Sequence, residues 1–260
     1  MPPVRGSSVT YTLGPGYPTP AIKQLLIATT AVFGLQMLAS FFPYPGDRPF
    51  LFNPSLETWV VERFGLVSRS VLSGYVWQPV TYLFLHGGLL HLILNLLSLW
   101  MFGVDLERRW GRTAFLRYYF VCGIGAGLTC LLVSLLPFDF AKSMYISPTI
   151  GASGAIFGLM MAYGMLFPHR TIFFFLFPVP VWLYLVITGV FVLAQAGSAS
   201  GGVAHYAHLG GLVVGYLYLS IGTGGPWAEI KYRYVKWRMN RLRKRFDVHQ
   251  GGRRWDSRVH

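Results

Sequence analysis

Six long apolar stretches constrain this chain more than any other feature of its sequence. Each approaches the roughly 20 residues that a helix needs to cross the hydrocarbon core of a bilayer. A backbone within lipid finds no water to bond, so each stretch is predicted to be helical. The predicted spans are 22–43, 86–104, 114–136, 150–168, 171–196 and 205–223. The sequence therefore predicts an all-α membrane protein with six transmembrane helices.

The composition supports this class and excludes a soluble globule. Only 12% of the 260 residues are charged and 53% are hydrophobic, whereas charged residues make up about 25% of a typical soluble domain. The formal net charge is +13, but 11 of the 22 Lys and Arg residues lie after Pro226. The excess positive charge therefore belongs to the C-terminal tail and does not indicate a nucleic-acid partner.

Several segments flank or interrupt the six-span domain, which is predicted to cover residues 22–223. Residues 1–21 are rich in Pro, Gly, Ser and Thr and lack the pattern of a signal peptide, so we expect a flexible leader. Residues 44–85 contain prolines and amphipathic stretches, which predicts a loop lying in the membrane interface. The run at 197–202 is either a lid over a site or a plain linker. Residues 224–260 form a basic tail.

Basic residues beside the spans predict the orientation of the chain, because they favour the cytoplasmic side. The loop after the second span is rich in arginine, the turn after the fourth contains Arg170, and the tail is basic. The loops on the opposite side carry few unbalanced cations. Both termini are therefore predicted to be cytoplasmic. The tail, with aromatic residues among its cations, could alternatively lie on the membrane as a helix that binds anionic lipid headgroups.

Three of the predicted spans contain polar residues, which are costly in lipid and tend to face the interior of a bundle. In the second span, His91 and Asn95 are four residues apart and share one helix face. The fourth span contains Ser153 near its start, and the sixth contains His205 and His208. All of them lie near the non-cytoplasmic ends of their spans, which packing alone does not readily explain.

A hydroxyl, an imidazole and nearby amide donors are the groups that acyl transfer requires. Ser153 supplies the hydroxyl, and either His208 or His205 could accept its proton. Small residues let two helices approach closely, and they recur every four residues in both spans. These residues are Gly154 and Gly158 in the fourth span and Ala207, Gly211 and Gly215 in the sixth. The pattern predicts that Ser153 and His208 come within reach of each other.

Taken in order, these motifs resemble those of the rhomboid family of intramembrane serine proteases. The matching runs are Trp77-Gln78, Thr81–His86, His91–Asn95, Glu107–Gly111, Gly151–Gly154 and Ala207–Gly211. The resemblance implies a six-helix rhomboid bundle that cleaves transmembrane protein substrates near the non-cytoplasmic face of the membrane. The compact six-span core resembles bacterial members in particular, which implies a bacterial inner membrane.

The resemblance also implies a role for each polar residue. Ser153 would be the nucleophile and His208 the general base, with no acidic third member. His91, Asn95 and the backbone N–H of Ser153 would form the oxyanion hole. A phenylalanine one turn beyond the serine would pack against the catalytic ring. This phenylalanine is Phe157, and the other residues that would support the dyad are Gly151 and Gly154.

One residue departs from the family pattern. Gln78 follows Trp77 where many members have an arginine, and this substitution puts the anchoring of the first loop in doubt rather than the chemistry. His205 could compete with His208 as the base, although the residues around His208 fit the family motif better.

Two other classes of protein compete with the protease. One is a catalytically silent rhomboid-like protein that binds transmembrane helices, although such relatives usually lack the serine or the histidine. The other is a metal-binding transporter, which would need carboxylates beside its imidazoles, whereas Asp105 and Glu107 lie at the opposite end of their span. Its ligands would be His86, His91, His205 and His208. No motif indicates a cofactor, a bound metal or an oligomeric state.

Overall fold

A computed structural model describes residues 14–45, 55–174, 177–196, 204–222, 236–239 and 241. In chain order its elements are α1 Pro20–Ala39, α2 Leu56–Phe64, α3 Ser68–Leu72, α4 Gln78–Thr81, a 3₁₀ turn at Tyr82–Phe84, α5 Leu89–Trp110, α6 Arg112–Ser134, α7 Asp139–Ile146, α8 Ser153–Leu166, β1 Thr171–Phe174, β2 Phe177–Pro180, α9 Val181–Ala196 and α10 Ala204–Gly222. The predominantly helical architecture is confirmed. Among the described residues, those up to Tyr218 form one compact unit and those from Leu219 onward a second; the contacts described below lie within the first unit.

Helices overlap all six of the predicted spans. Within the described residues, α1, α5 and α6 are long and apolar enough to cross a membrane by length and composition. The helices α8 and α9 are apolar but shorter, and the six-span count stays a prediction. The leader up to residue 13, the 197–202 run and most of the basic tail lie outside the described residues.

The start of the fifth predicted span is not helical. In place of helix from residue 171 onward, β1 and β2 form an antiparallel hairpin in which Thr171 pairs with Pro180 and Ile172 with Val179. Two prolines explain the difference, because Pro178 and Pro180 have no N–H for an intrahelical hydrogen bond and would clash with the preceding turn. The helix begins only after them, at Val181, so the prediction that helix extends from residue 171 was wrong, whereas the all-α class is consistent with the rest of the described structure.

The described part of the first loop, residues 55–85, folds into short helices that are tied together by Gln78. The Gln78 side chain is fully buried. Its Oε1 accepts the N–H of Val67 at 3.0 Å, and its Nε2 donates to the carbonyl oxygens of Glu62 at 3.1 Å and Arg63 at 3.3 Å. The amide therefore links α4 to the end of α2 and the residues after it. Gln78 is the residue that departs from the family pattern, in which many members have an arginine. The interfacial position of the loop stays a prediction.

Glu107 on α5 is a buried carboxylate that holds the beginning of α1. Its Oε1 accepts the N–H of Ala21 at 2.9 Å, its Oε2 accepts the N–H of Ile22 at 3.1 Å, and the same oxygen bonds the hydroxyl of Thr19. The first N–H groups of a helix have no intrahelical partners, and the helix dipole favours an anion there. The carboxylate thus caps α1 from a neighbouring helix.

We expect Glu107→Gln to lower the free energy of unfolding by about 1.5–3 kcal/mol, because hydrogen bonds to a charged acceptor would be lost in a buried site. Unfolding of the detergent-solubilised protein would be followed by circular dichroism. Asp139→Asn is the matched control, since this carboxylate is exposed and pairs only locally with Lys142. Equal stability of Glu107→Gln and the wild type would show that the cap does not hold α1.

Helix α8 packs between α5 and α6 and is tied to α5 at its far end. The Tyr163 hydroxyl donates to Asp105 Oδ2 at 3.0 Å, and the Arg170 guanidinium bonds the same carboxylate. Ten residues separate Tyr163 from the first residue of α8, a rise of about 15 Å along the axis. The tie therefore holds the two helices in register at the end opposite Ser153, which begins α8.

Candidate active site

Ser153 is the first residue of α8 and follows a turn that only glycine fits well. Gly151 has a φ of +119°, and a Cβ added there would lie 2.8 Å from Cε1 and 2.9 Å from Nε2 of the His91 ring. The Gly151 N–H donates to the carbonyl of Tyr82 at 2.9 Å, which anchors the turn. Gly151 therefore brings the imidazole of His91 against the backbone two residues before Ser153.

Ser153 and His208 are in direct contact. The Ser153 Oγ lies 2.8 Å from Nε2 of His208, which is within the range of a normal hydrogen bond. The ring of Phe157, one helical turn after the serine, stacks on the His208 ring with centroids 4.2 Å apart and planes 8° apart. Within the described residues no carboxylate bonds His208, so aromatic stacking orients the imidazole in place of an acidic partner.

Close approach of α8 and α10 brings this pair together. A Cβ added to Gly211 would lie 2.0 Å from the carbonyl oxygen of Gly154, and one added to Gly215 would lie 3.0 Å from the Cα of Gly158. A side chain on either glycine of α10 would therefore collide with the backbone of α8. The two small-residue stripes meet as their spacing predicts.

The oxyanion candidates lie at the start of α5, where the side chains present donors. Asn95 is buried, and its Nδ2 donates to the carbonyl of His91 at 2.8 Å, while its Oδ1 has no hydrogen-bond partner among the described residues. His91 Nδ1 accepts the N–H of Gly87 at 3.3 Å, so in a neutral ring the proton resides on Nε2. The backbone N–H of Ser153 lies in the first turn of α8, where no intrahelical acceptor is available.

The two remaining histidines of the predicted spans lie beside His91 and His208, and neither bonds the serine in the described structure. The His205 ring centroid is 6.1 Å from that of His208, and its buried Nδ1 has no hydrogen-bond partner in the described part of the chain. The His86 ring centroid is 5.0 Å from that of His91. Among the described residues no three His, Cys, Asp or Glu side chains are grouped to hold a metal ion, so the transporter alternative gains no support.

The described structure thus combines helices that are long and apolar enough to cross a membrane with a serine hydroxyl that lies beside an imidazole. Residues 73–224 match the Rhomboid domain. The chain belongs to the rhomboid family. The departure at Gln78, the hairpin in the fifth predicted span and the Ser153–His208 contact are therefore features of a rhomboid protein.

Individual relatives agree with this assignment. The chain is 28% identical over 204 residues to the yeast Saccharomyces cerevisiae "Rhomboid protein 1, mitochondrial", covering 78% of this chain and 53% of that protein. It is 31% identical over 183 residues to "Rhomboid-like protease 5" of Toxoplasma gondii, covering 68% and 19%. It is 30% identical over 164 residues to "Rhomboid protease GluP" of Bacillus subtilis, covering 62% and 29%.

The chain thus spans about half or less of the length of these three relatives. One of them carries the word mitochondrial in its name, so the similarity does not support the bacterial inner membrane that the sequence suggested. The family and the apolar helices indicate that the protein is integral to a membrane.

Proposed function

We propose that this protein is an intramembrane serine endopeptidase that cleaves transmembrane protein substrates through a Ser153/His208 dyad. The observation that carries the proposal is the 2.8 Å contact between Ser153 Oγ and His208 Nε2 at the start of α8. Two of the relatives are named proteases, which supports the same reaction class. A hydroxyl becomes a useful nucleophile only when an adjacent base can take its proton, and His208 is that base.

In the first half of the reaction, Ser153 Oγ attacks a peptide carbonyl carbon of the substrate while its proton passes to His208 Nε2. The tetrahedral intermediate collapses as the C–N bond breaks, and His208 donates the proton to the leaving amine. In the second half, a water oxygen attacks the acyl-enzyme and gives its proton to His208. Breakage of the ester returns that proton to Ser153 Oγ, so the enzyme is regenerated.

Negative charge on the substrate oxygen requires donors that are already in place. The first N–H of the Asn95 amide donates within α5, and the second has no acceptor among the described residues. The Nε2–H of His91 faces the turn that precedes Ser153. The backbone N–H of Ser153 adds a third donor at the positive end of the α8 dipole. These three groups are the proposed oxyanion hole.

Topology completes the proposal. With both termini in the cytoplasm, the beginnings of α5, α8 and α10 face the opposite side of the membrane, and substrates are cut near that non-cytoplasmic face. Substrate helices and lipid are then the partners of the protein. Gly151, Gly154 and Phe157 act by shaping the turn, the helix contact and the imidazole orientation.

The first test is covalent labelling of the detergent-solubilised full chain with a fluorophosphonate, which reacts with activated serines. We expect an adduct on the peptide that contains Ser153, identified by mass spectrometry, and no adduct in Ser153→Ala. Ser147→Ala is the matched control, because this serine lies six residues earlier at the end of α7 and has no imidazole partner in the described structure.

Labelling that survives in Ser153→Ala would contradict the dyad. Absence of labelling in a folded wild type, together with failure to cut a reconstituted single-span substrate, would favour a catalytically silent protein that binds transmembrane helices. Such an outcome would leave the family assignment intact and remove the activity.

A further inference from the structure

Gln36 is a buried amide on α1, outside the proposed dyad and oxyanion hole. Its side chain is 2% exposed. A polar side chain in a membrane helix is costly unless it is hydrogen-bonded. The contacts of this amide therefore show what it does for the fold or for the site.

The Gln36 amide clamps the backbone of one residue. Its Oε1 accepts the N–H of His86 at 3.1 Å, and its Nε2 donates to the carbonyl oxygen of His86 at 2.8 Å. The second Nε2–H donates to Glu57 Oε1 at 3.1 Å. All the donors of the side chain are satisfied in this way, and two of its three bonds fix the same residue of the loop before α5.

The clamp continues through a peptide plane to His91. The carbonyl of His86 and the N–H of Gly87 belong to one peptide unit, which is rigid and planar. Gln36 bonds the carbonyl side of this unit, while the Gly87 N–H donates to His91 Nδ1 at 3.3 Å. Bonds arranged in such a chain polarise one another. Rotation of the peptide would break both bonds together.

This series of hydrogen bonds determines which nitrogen of His91 carries the proton. While the Gly87 N–H points at Nδ1, that nitrogen must be an acceptor, and the neutral ring is protonated on Nε2. The Nε2 side of the ring is the one that faces Gly151 in the turn before Ser153. The contact between the His86 and His91 rings, with centroids 5.0 Å apart, restrains the ring from the other side.

We propose that Gln36 is a positioning residue that acts through the His86–Gly87 peptide to hold His91 as the Nε2–H tautomer, ready to donate to the oxyanion. This inference rests on the proposed function. It assigns to α1 a part in turnover, although none of its side chains belongs to the dyad or to the oxyanion hole.

The test compares Gln36→Met with the wild type, since methionine keeps the length of the side chain and removes both hydrogen-bonding groups. We expect kcat on a reconstituted single-span substrate to fall about 10-fold, part of the 10²–10³-fold effect of losing an oxyanion donor, with KM unchanged. Thr29→Val is the matched control. Thr29 lies on the same helix, is equally buried, and its Oγ1 bonds no other described residue, so the rate of this variant should equal that of the wild type.

A spectroscopic measurement distinguishes a positioning role of Gln36 from a general effect on folding. In ¹⁵N-histidine-labelled protein we expect His91 to show a pyridine-type Nδ1 and a pyrrole-type Nε2, and Gln36→Met to populate the opposite tautomer. In a His91→Ala background, Gln36→Met should cause no further loss of kcat, because the two changes act through one group. An additional loss there would indicate a general folding effect and overturn the proposal.

The outcomes also separate this inference from the function on which it rests. A folded wild type without turnover would contradict the proposed protease. An active wild type with unchanged kcat and unchanged His91 tautomer in Gln36→Met would contradict the positioning role alone.

Discussion

Replacing His208 with alanine is expected to lower substrate cleavage by about 10⁴-fold or more and to abolish fluorophosphonate labelling of Ser153. The size follows from the behaviour of serine hydrolases, in which removal of the base costs nearly as much as removal of the nucleophile. Ser153 Oγ has one imidazole within hydrogen-bonding distance among the described residues. Without it, the hydroxyl proton has no acceptor in the initial attack and the leaving amine has no donor.

The control for this prediction is His205→Ala, one helical turn earlier on α10. This histidine contacts the ring of His208 edge-on, with a centroid distance of 6.1 Å, and does not bond the serine, so we expect a change of a few fold. Cleavage rates in proteoliposomes would be compared with labelling rates in detergent for all three proteins. A larger loss in His205→Ala than in His208→Ala would move the role of base to His205.

Much of the fold was predictable because apolar length is a strong signal in a membrane protein. The long helices α1, α5 and α6 coincide with predicted spans, with ends that differ by two to six residues. The hairpin at 171–180 was not predicted, since its residues are as apolar as those of a helix and hydropathy does not distinguish the two. Pro178 and Pro180 argue against a helix here, but they lie within a long apolar run that was interpreted as one span.

Part of the candidate site was likewise predictable from the sequence and part was not. Ser153, His208, His91 and Asn95 stood out because ionisable and polar groups are rare in spans, and their chemistry suggested a common task. The clamp by Gln36 could not be predicted, because its contacts with His86 join residues 50 apart in the chain. A single glutamine in an apolar helix also has many possible structural roles. Its partner became evident only from the packing of α1 against the loop before α5.

Gly211→Ala is expected to cause a large loss of activity, although it adds only a methyl group to a residue outside the proposed dyad and oxyanion hole. The new Cβ would lie 2.0 Å from the carbonyl oxygen of Gly154, well inside the 3.5–4.0 Å at which non-bonded atoms attract. The obstacle is backbone rather than a movable side chain, so α10 must move away from α8 by about 1 Å or more. A displacement of 1 Å in a catalytic group can cost about 10²-fold in rate.

Two matched glycine variants test this reasoning. Gly189→Ala on α9 adds the same methyl group where nothing lies within 4 Å, and we expect full activity with stability equal to or slightly above that of the wild type. Gly215→Ala is one turn farther along α10, where a Cβ would lie 3.0 Å from Gly158 Cα and 2.6 Å from the hydroxyl of Tyr118. Its rate should lie between those of Gly189→Ala and Gly211→Ala.

Cleavage and thermal unfolding would be measured on the same preparations of these variants. The graded order follows if the backbone contact between α8 and α10 sets the distance between Ser153 Oγ and His208 Nε2. A wild-type rate in Gly211→Ala would mean that the helices can separate without disturbing the dyad. In that case the stacking of Phe157 on His208, rather than the glycine contact, would be the interaction that keeps the imidazole beside the serine.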